Sequence, residues 1–253
     1  TVDDAVEQYK RDRDPRETLF AFGRCVVHFA VDDSEVRMCT ALKGSKGMAK
    51  DSWFLPFNQG WNDGAGNPPN PEGLKTDYLW KRILTPAQLT EILENYAQIV
   101  EEVNPKTGQK KQVQIFPRYH QLDVVRQTLA HVLEHGAGKR YLLQHSAGSG
   151  KSNSIAWLAH QLIGLTKDGA EVFDSIIVIT DRRILDKQIR ETIKGFAQVG
   201  SVIGAVKEGG SSKTQQLAKY LKDGKKLIIC TVQTFPEVLD QVGSSHRGKK
   251  FAI

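Results

Sequence analysis

Cysteine is scarce in this chain of 253 residues: Cys25, Cys39 and Cys230 lie far apart, and none belongs to a C-x-x-C pair. Three scattered thiols in apolar or β-like stretches exclude a disulfide-stapled scaffold. They point to a reducing, cytoplasmic compartment in which cysteine serves as a small buried hydrophobe. The seven histidines are dispersed as well and show no zinc-ligand spacing. Long apolar runs are missing. The longest, Ile176-Ile-Val-Ile179 and Leu227-Ile-Ile-Cys230, fall far below the roughly 18 residues of a membrane span, so no membrane partner is expected. There is neither an initiator Met nor an apolar leader at Thr1-Val-Asp-Asp-Ala, and the expectation is a chain that starts inside something longer. What is present is an ordinary globular composition, 40% hydrophobic and 25% charged, which excludes disordered and collagen-like classes. The length suits two medium domains.

Charge is unevenly spread. Before Gly138 stand 17 basic and 19 acidic residues, and after it 18 basic and 10 acidic, so the second half carries the whole positive balance of +6. Arg182-Arg183, Lys225-Lys226 and Arg247-Gly-Lys-Lys250 suit phosphate-bearing partners through counterion release, while each cluster taken alone also reads as solvated surface. The summed asymmetry points toward nucleotide or nucleic acid.

Helical spacing of Val2, Ala5, Val6 and Tyr9 predicts a first helix, with Thr1 and Asp4 placed as a capping pair. Residues 19–31 and 35–42, joined by Asp32-Asp33-Ser34, read as a β-hairpin, and 53–57 as a further short strand. A Gly/Pro/Asn loop follows over 58–71. A helical pair comes next, the second member starting at Thr85-Pro-Ala-Gln88 and running to about Val100. The polar, turn-rich stretch from Asn104 is read as a linker over 104–115, between a first domain over 1–103 and a second over 116–253.

In the second domain the pattern alternates. Helices are expected over 118–135, 151–165, 183–196, 212–221 and 235–239, and strands over 140–144, 175–180, 202–206 and 226–231. Strands alternating with helices imply right-handed crossovers and a parallel sheet covered on both faces. The fold class is therefore α/β, a P-loop parallel sheet preceded by an α+β segment.

The expected strand over 140–144 runs into His145-Ser-Ala-Gly-Ser-Gly-Lys-Ser152 and then a helix, the context that makes a P-loop credible. Gly148 and Gly150 let backbone N–H groups turn around an anion, the helix adds its positive end, Lys151 reaches the β/γ-phosphates, and Ser152 offers a hydroxyl to Mg²⁺. Ser146, Ala147 and Ser149 complete the loop; His145 departs from the first glycine of the general pattern. Upstream, Phe116-Pro-Arg-Tyr-His-Gln121 places Arg118 beside an amide, Gln121, that can donate to and accept from the N6/N7 edge of adenine. Downstream, the strand ends at Thr180, Arg182 and Arg183, and at Thr231 and Gln233, lie where open α/β sheets bind ligands, and they are candidates for phosphate contacts on DNA.

These strings closely resemble the restriction (R) subunit of type I restriction-modification enzymes: Phe116 to Gln121, His145 to Ser152 followed by Asn153-Ser-Ile-Ala-Trp-Leu-Ala-His160, and Phe173-Asp-Ser-Ile-Ile-Val-Ile-Thr-Asp-Arg-Arg183. Phe22-Gly-Arg-Cys-Val-Val-His-Phe-Ala-Val31, Phe54-Leu-Pro-Phe57 and Gly64-Ala-Gly-Asn-Pro-Pro-Asn-Pro71 look like the stretch joining that family's nuclease domain to its motor. The resemblance implies a superfamily 2 helicase-like, RecA-like motor lobe that binds ATP and Mg²⁺, translocates duplex DNA, and cleaves it within a complex of modification and specificity subunits. It carries Gln121 and Gly148 to Ser152 over as nucleotide-binding positions, and 180–183 and 231–234 as DNA contacts.

Two departures bound what is expected. The Asp-Glu pair that such a motor needs on its next core strand is not found up to Lys250-Phe-Ala-Ile253, and the second lobe is absent with it. No Glu-x-Lys of a two-metal nuclease occurs; Gln8 and Tyr9 are the remaining candidates for the edge of a nuclease site. By itself the chain is expected to be inactive in hydrolysis and cleavage. The alternatives are a superfamily 2 helicase or NTPase unrelated to restriction, and a non-catalytic interaction module with a vestigial loop. A P-loop kinase is disfavoured by His145 and Gln121.

Overall fold

The computed structural model describes residues 1–103, 107–181, 189, 192–193, 203–206, 212–234 and 248–253. The helices expected over 183–196 and 235–239 lie largely or wholly outside the described residues. The chain divides into two compact units, Thr1–Leu122 and Asp123–Ile253.

The first unit begins with α1 (Val2–Asp12), closed by the expected capping box between Thr1 and Asp4. Strands β1 (His28–Val31) and β2 (Val36–Cys39) form an antiparallel hairpin, and β3 (Leu55–Pro56) adds to β2. The hairpin is shorter than expected, since residues 19–27 make turns rather than strand. Asp32 at its turn organises the chain around it: its carboxylate accepts from the N–H groups of Val2, Ser34 and Glu35 at 2.6–2.8 Å. Partial burial works to raise the Asp32 pKa, but these three donors hold it below the usual carboxylate value. Val2, Val6 and Ala30 pack together under Tyr9 and Phe54. An aromatic chain runs from Phe29 through Phe57 to Phe116 and Tyr119, with ring centroids 5.2–6.2 Å apart.

The helical pair is a single π-turn, Leu79–Ile83, followed by α2 (Pro86–Asn95). Residues 98–103 are not the end of that helix. They form β4 (Gln98–Val103), which pairs antiparallel with β5 (Lys110–Ile115), so the expected linker contains a strand. Alternating Val113 and Ile115, and opposite charges across the ladder such as Glu101 with Lys110 at 2.9 Å, account for this pairing. Gln114 projects inward from β5, and its amide donates to the carbonyls of Cys25, Val26 and Thr40.

In the second unit, α3 (Tyr119–His135) leads in from the first. Then come α4 (Lys151–Leu162), a small hairpin β6–β7 (Thr166–Lys167, Ala170–Glu171), β8 (Ser175–Thr180), β9 (Ile203–Ala205), α5 (Lys213–Lys222), β10 (Leu227–Thr231) and β11 (Phe251–Ala252). Four strands form one parallel sheet in the order β11-β8-β10-β9. Alternate residues divide between its faces. Ile176, Val178, Leu227 and Ile229 pack with Val132, Ala156, Ala159 and Leu162 on one side; Ile177, Ile228 and Cys230 pack with Leu217, Ala218 and Leu221 on the other.

The strand expected over 140–144 does not form. These residues are exposed, Leu142 at 89%, and they join no ladder among the described residues. A strand exists only with a hydrogen-bonding neighbour, and the β11 edge that flanks the sheet does not provide one for this stretch.

Gly204 on β9 has the ring of Tyr220 on α5 directly above it: a Cβ there would lie 2.7 Å from Cγ of the tyrosine. Gly204→Ala is expected to destabilise the protein by about 1–3 kcal/mol through overpacking, read as a lower urea midpoint. Burial depresses the pKa of His28 and of His160 below the ordinary 6.5, in His160 against the opposing pull of the Ile193 carbonyl. Both residues then bind protons more readily when unfolded. Their contribution to stability is fully present above the ordinary histidine range and is lost as pH falls through and below it. Denaturation midpoints should decline below about pH 6.5, and less steeply in His160→Gln.

Candidate nucleotide-binding site

The expected loop is built at the start of α4. Gly150 is its N-cap with φ 81° and ψ 33°, and Gly148 has φ 75°, so two of its residues occupy the left-handed region that side chains disfavour. A Cβ at Gly148 would meet nothing within 4 Å, so it is the left-handed backbone and not crowding that calls for glycine there. No side chain caps α4, which leaves the N–H groups of Lys151 and Ser152 and the positive helix end to an anion. The carbonyl of Gly150 takes up the N–H groups of Asn153 and Ser154 and fixes the turn. Ala156, Trp157, Ala159 and Leu162 bury the other face of α4, with Trp157 at 1% exposure holding the helix in place.

Ser146, Ala147, Gly148 and Lys151 are exposed, Gly150 and Ser152 half-buried, and Ser149 buried. The Lys151 ammonium curls back over the loop and donates to the carbonyls of His145 at 3.2 Å and Ser146 at 2.7 Å. His145 has no positive φ, so its position makes no demand for glycine, and its carbonyl does work that any residue's backbone can do. That is the physical reason why the loop tolerates histidine there. Two left-handed glycines, an uncapped helix start and a lysine within reach fit a polyphosphate, and the Ser152 hydroxyl suits its Mg²⁺.

Other candidate residues fall into separate groups. Gln121 is buried at 3% exposure in the first unit, and its Oε1 accepts from the backbone N–H of half-buried Arg118 at 2.9 Å. Thr180 and Thr231 face each other in register at the carboxyl ends of β8 and β10. Val232 N–H donates to the Thr180 carbonyl at 2.9 Å, exposed Gln233 donates through its amide to the Asp181 carbonyl at 3.3 Å, and the hydroxyls of Thr231 and Thr234 lie 3.1 Å apart. Thr180, Thr231 and Thr234 are buried, so Gln233 is the outward-facing member of this group. Arg182 and Arg183 lie outside the described residues. Gln8 is exposed on α1, whereas Tyr9 packs between His28 and Phe54, its phenol pushed up in pKa by burial. Among the described residues no group of three or more His, Cys, Asp or Glu forms a metal cage.

The family model of the SWI2/SNF2 ATPases matches residues 120–251, just over half of the chain. The chain belongs to the SWI2/SNF2 ATPase family. Comparison with curated proteins and with solved structures gave no match. Membership makes this stretch a helicase-like ATPase region with a RecA-type lobe, and it covers the loop, α4 and the strands of the parallel sheet. SWI2/SNF2 ATPases use ATP, which agrees with the loop's fit to a polyphosphate. Among the described residues, no helix is long and apolar enough to cross a membrane.

Gly150→Ala forces a side chain into the left-handed region at about 1–2 kcal/mol. The variant is expected to show a lower thermal midpoint together with weaker binding of an ATP analogue.

Proposed function

We propose that this SWI2/SNF2-family chain works in the restriction subunit of a type I restriction-modification enzyme, where ATP-driven movement along duplex DNA precedes cleavage. The observation that carries the nucleotide part is the loop of Gly148, Gly150 and Lys151 at an uncapped helix start. The restriction part is supported by the strings at 22–31, 54–57, 64–71 and 173–183 that resemble that subunit.

In this reading ATP, when bound with Mg²⁺, supplies the phosphoanhydride whose hydrolysis drives translocation. Lys151 would exchange its carbonyl partners for phosphate oxygens, the first-turn N–H groups of Lys151 and Ser152 would donate to the same group, and the Ser152 hydroxyl would be the residue that holds Mg²⁺. Arg118 and Gln121 carry over from the resemblance as the residues that would read the adenine base. Of the DNA-backbone candidates Thr180, Arg182, Arg183, Thr231 and Gln233, the exposed Gln233 would reach a phosphate at the carboxyl ends of β8 and β10, and the buried Thr180 and Thr231 would hold those strand ends behind it. The partners are duplex DNA and the modification and specificity subunits; the compartment is the cytoplasm. At the nuclease edge exposed Gln8 is the residue that would face a partner, Tyr9 being packed against His28 and Phe54.

The test is titration with a fluorescent ATP analogue and Mg²⁺, wild type against Lys151→Ala. Saturable binding is expected in the wild type, and at least about tenfold weaker binding, about 1.4 kcal/mol, in the variant. Neither protein should turn over ATP, because no adjacent Asp-Glu pair occurs in the 253 residues. A folded wild type that binds no nucleotide would overturn the site, and steady DNA-stimulated hydrolysis would overturn the expected inactivity. Charge reversal at Arg182, Arg183, Lys249 and Lys250 should abolish duplex binding. Failure to join a modification–specificity complex would leave an ATPase outside restriction.

A further inference from the structure

In the first unit a cavity of about 380 Å³ opens between α1, β2 and the turn before β3. Its lining sets three cations, Lys10, Arg37 and Lys50, against one carboxylate, Asp51, and its aromatic wall is Trp53 and Phe54. Trp53 is 77% exposed, against 48% for Trp61. The turn that carries it is firmly fixed. Ala49 N–H donates to the Lys10 carbonyl at 2.9 Å, the buried Ser52 hydroxyl accepts from Lys43 N–H at 2.8 Å, and Phe54 packs on Tyr9 with centroids 5.3 Å apart. A flat apolar ring held out in water costs free energy until something covers it. The cations beside it are not equally engaged. Asp3 at 2.6 Å and Glu35 at 3.5 Å offset Arg37, Glu7 lies 3.8 Å from Lys10, and exposed Lys50 has no ion-pair partner among the described residues.

We propose that this cavity binds an unpaired nucleic-acid strand, with one base stacked on Trp53 and the adjoining phosphate held by Lys50 and Lys10. Every base has a π-face, so an exposed indole takes any of them, and a positive charge beside it follows the backbone. Lys50 and Trp53 sit on the same short turn, which suits the phosphate and the base of a single nucleotide. The charge-assisted contact falls to the two lysines because Arg37 already serves two carboxylates. A duplex keeps its bases stacked on one another and cannot offer a face to the indole without unstacking, so the strand must be unpaired. Asp51 in the same lining repels phosphate and confines it to the lysine side. The cavity lies outside the residues matched by the family model and away from the strand ends of the second unit, so it is a separate contact with nucleic acid.

The experiment is fluorescence anisotropy of a labelled oligo(dT) titrated with the full chain in ATP-free buffer over a range of salt concentrations. Saturable binding that weakens as salt rises is expected. Trp53→Ala should weaken it about tenfold or more, and Trp53→Phe much less, since a phenyl ring still stacks. Lys10→Gln combined with Lys50→Gln should weaken it and flatten its salt dependence. A strand of the same length without bases should bind the wild type no better than oligo(dT) binds Trp53→Ala. Trp61→Ala, which removes an exposed indole outside the cavity, should change nothing. The loss on Trp53→Ala should persist in a chain with charge reversal at Arg182 and Arg183, which separates this cavity from the duplex contacts proposed for the second unit. Absence of binding, wild-type affinity in Trp53→Ala, or equal affinity for the base-free strand overturns the proposal. Displacement of the strand by dTMP or by an acidic peptide at equal concentration overturns it too, by assigning the cavity to a free nucleotide or to a protein. No readout involves ATP, so the result is independent of the loop at 145–152.

Discussion

Strands Ser175–Thr180 and Leu227–Thr231 lie side by side in parallel, and all their residues but one are buried, Ile179 being half-covered. Two constraints follow from that pair. Parallel neighbours cannot be joined by a tight turn, so a long crossover must connect them, and neither apolar face can be left in water. Helices meet both constraints: α5 lies on the connection between the two strands, and helices cover both faces. α4, with Val132 of α3, closes one face, and α5 closes the other. Parallel pairing also brings the carboxyl ends of the strands to the same level, which is why Thr180 and Thr231 meet and Gln233 ties the two ends together.

The first unit is held differently. Its sheets are small, and buried or half-buried polar groups connect distant segments: Asp32 gathers the N-terminus of α1 and its own turn, Thr76 donates to the Asp32 carbonyl, and Gln114 joins β5 to the loop before β1. Such groups cost free energy when desolvated and return it only when every donor finds an acceptor. An α+β unit with little sheet area thus reaches a definite geometry through a few side chains that must be placed correctly.

How much was legible depends on whether the deciding interaction was local. The limits of β8, the capping box at Thr1 and Asp4, the helix expected over 212–221 and the hairpin turn at Asp32 all came from neighbouring residues, and all are present, the helix to within a residue at each end. The loop glycines and Lys151 were legible for the same reason. Residues 98–103 and 110–115 were misread because their partners are each other: polar strands with few apolar residues show their nature only in cross-strand pairs such as Glu101 with Lys110. Residues 140–144 failed in the opposite sense. Their β-prone sequence is real, but strand character belongs to a pair of segments, and no ladder partner is present among the described residues.

Lys151 has one more consequence. With its ammonium on the carbonyls of His145 and Ser146, the loop is closed upon itself by its own cation. In the function proposed above, an arriving phosphate would enter by substitution, taking over a positive charge that already has two oxygen ligands. The exchange is favourable only for a ligand that gives the ammonium more than two neutral carbonyls do, and an anionic polyphosphate meets that condition far better than a neutral hydroxyl or amide. In that proposed role the closed lysine would act as a threshold, rejecting weak acceptors before any contact with base or sugar came into play.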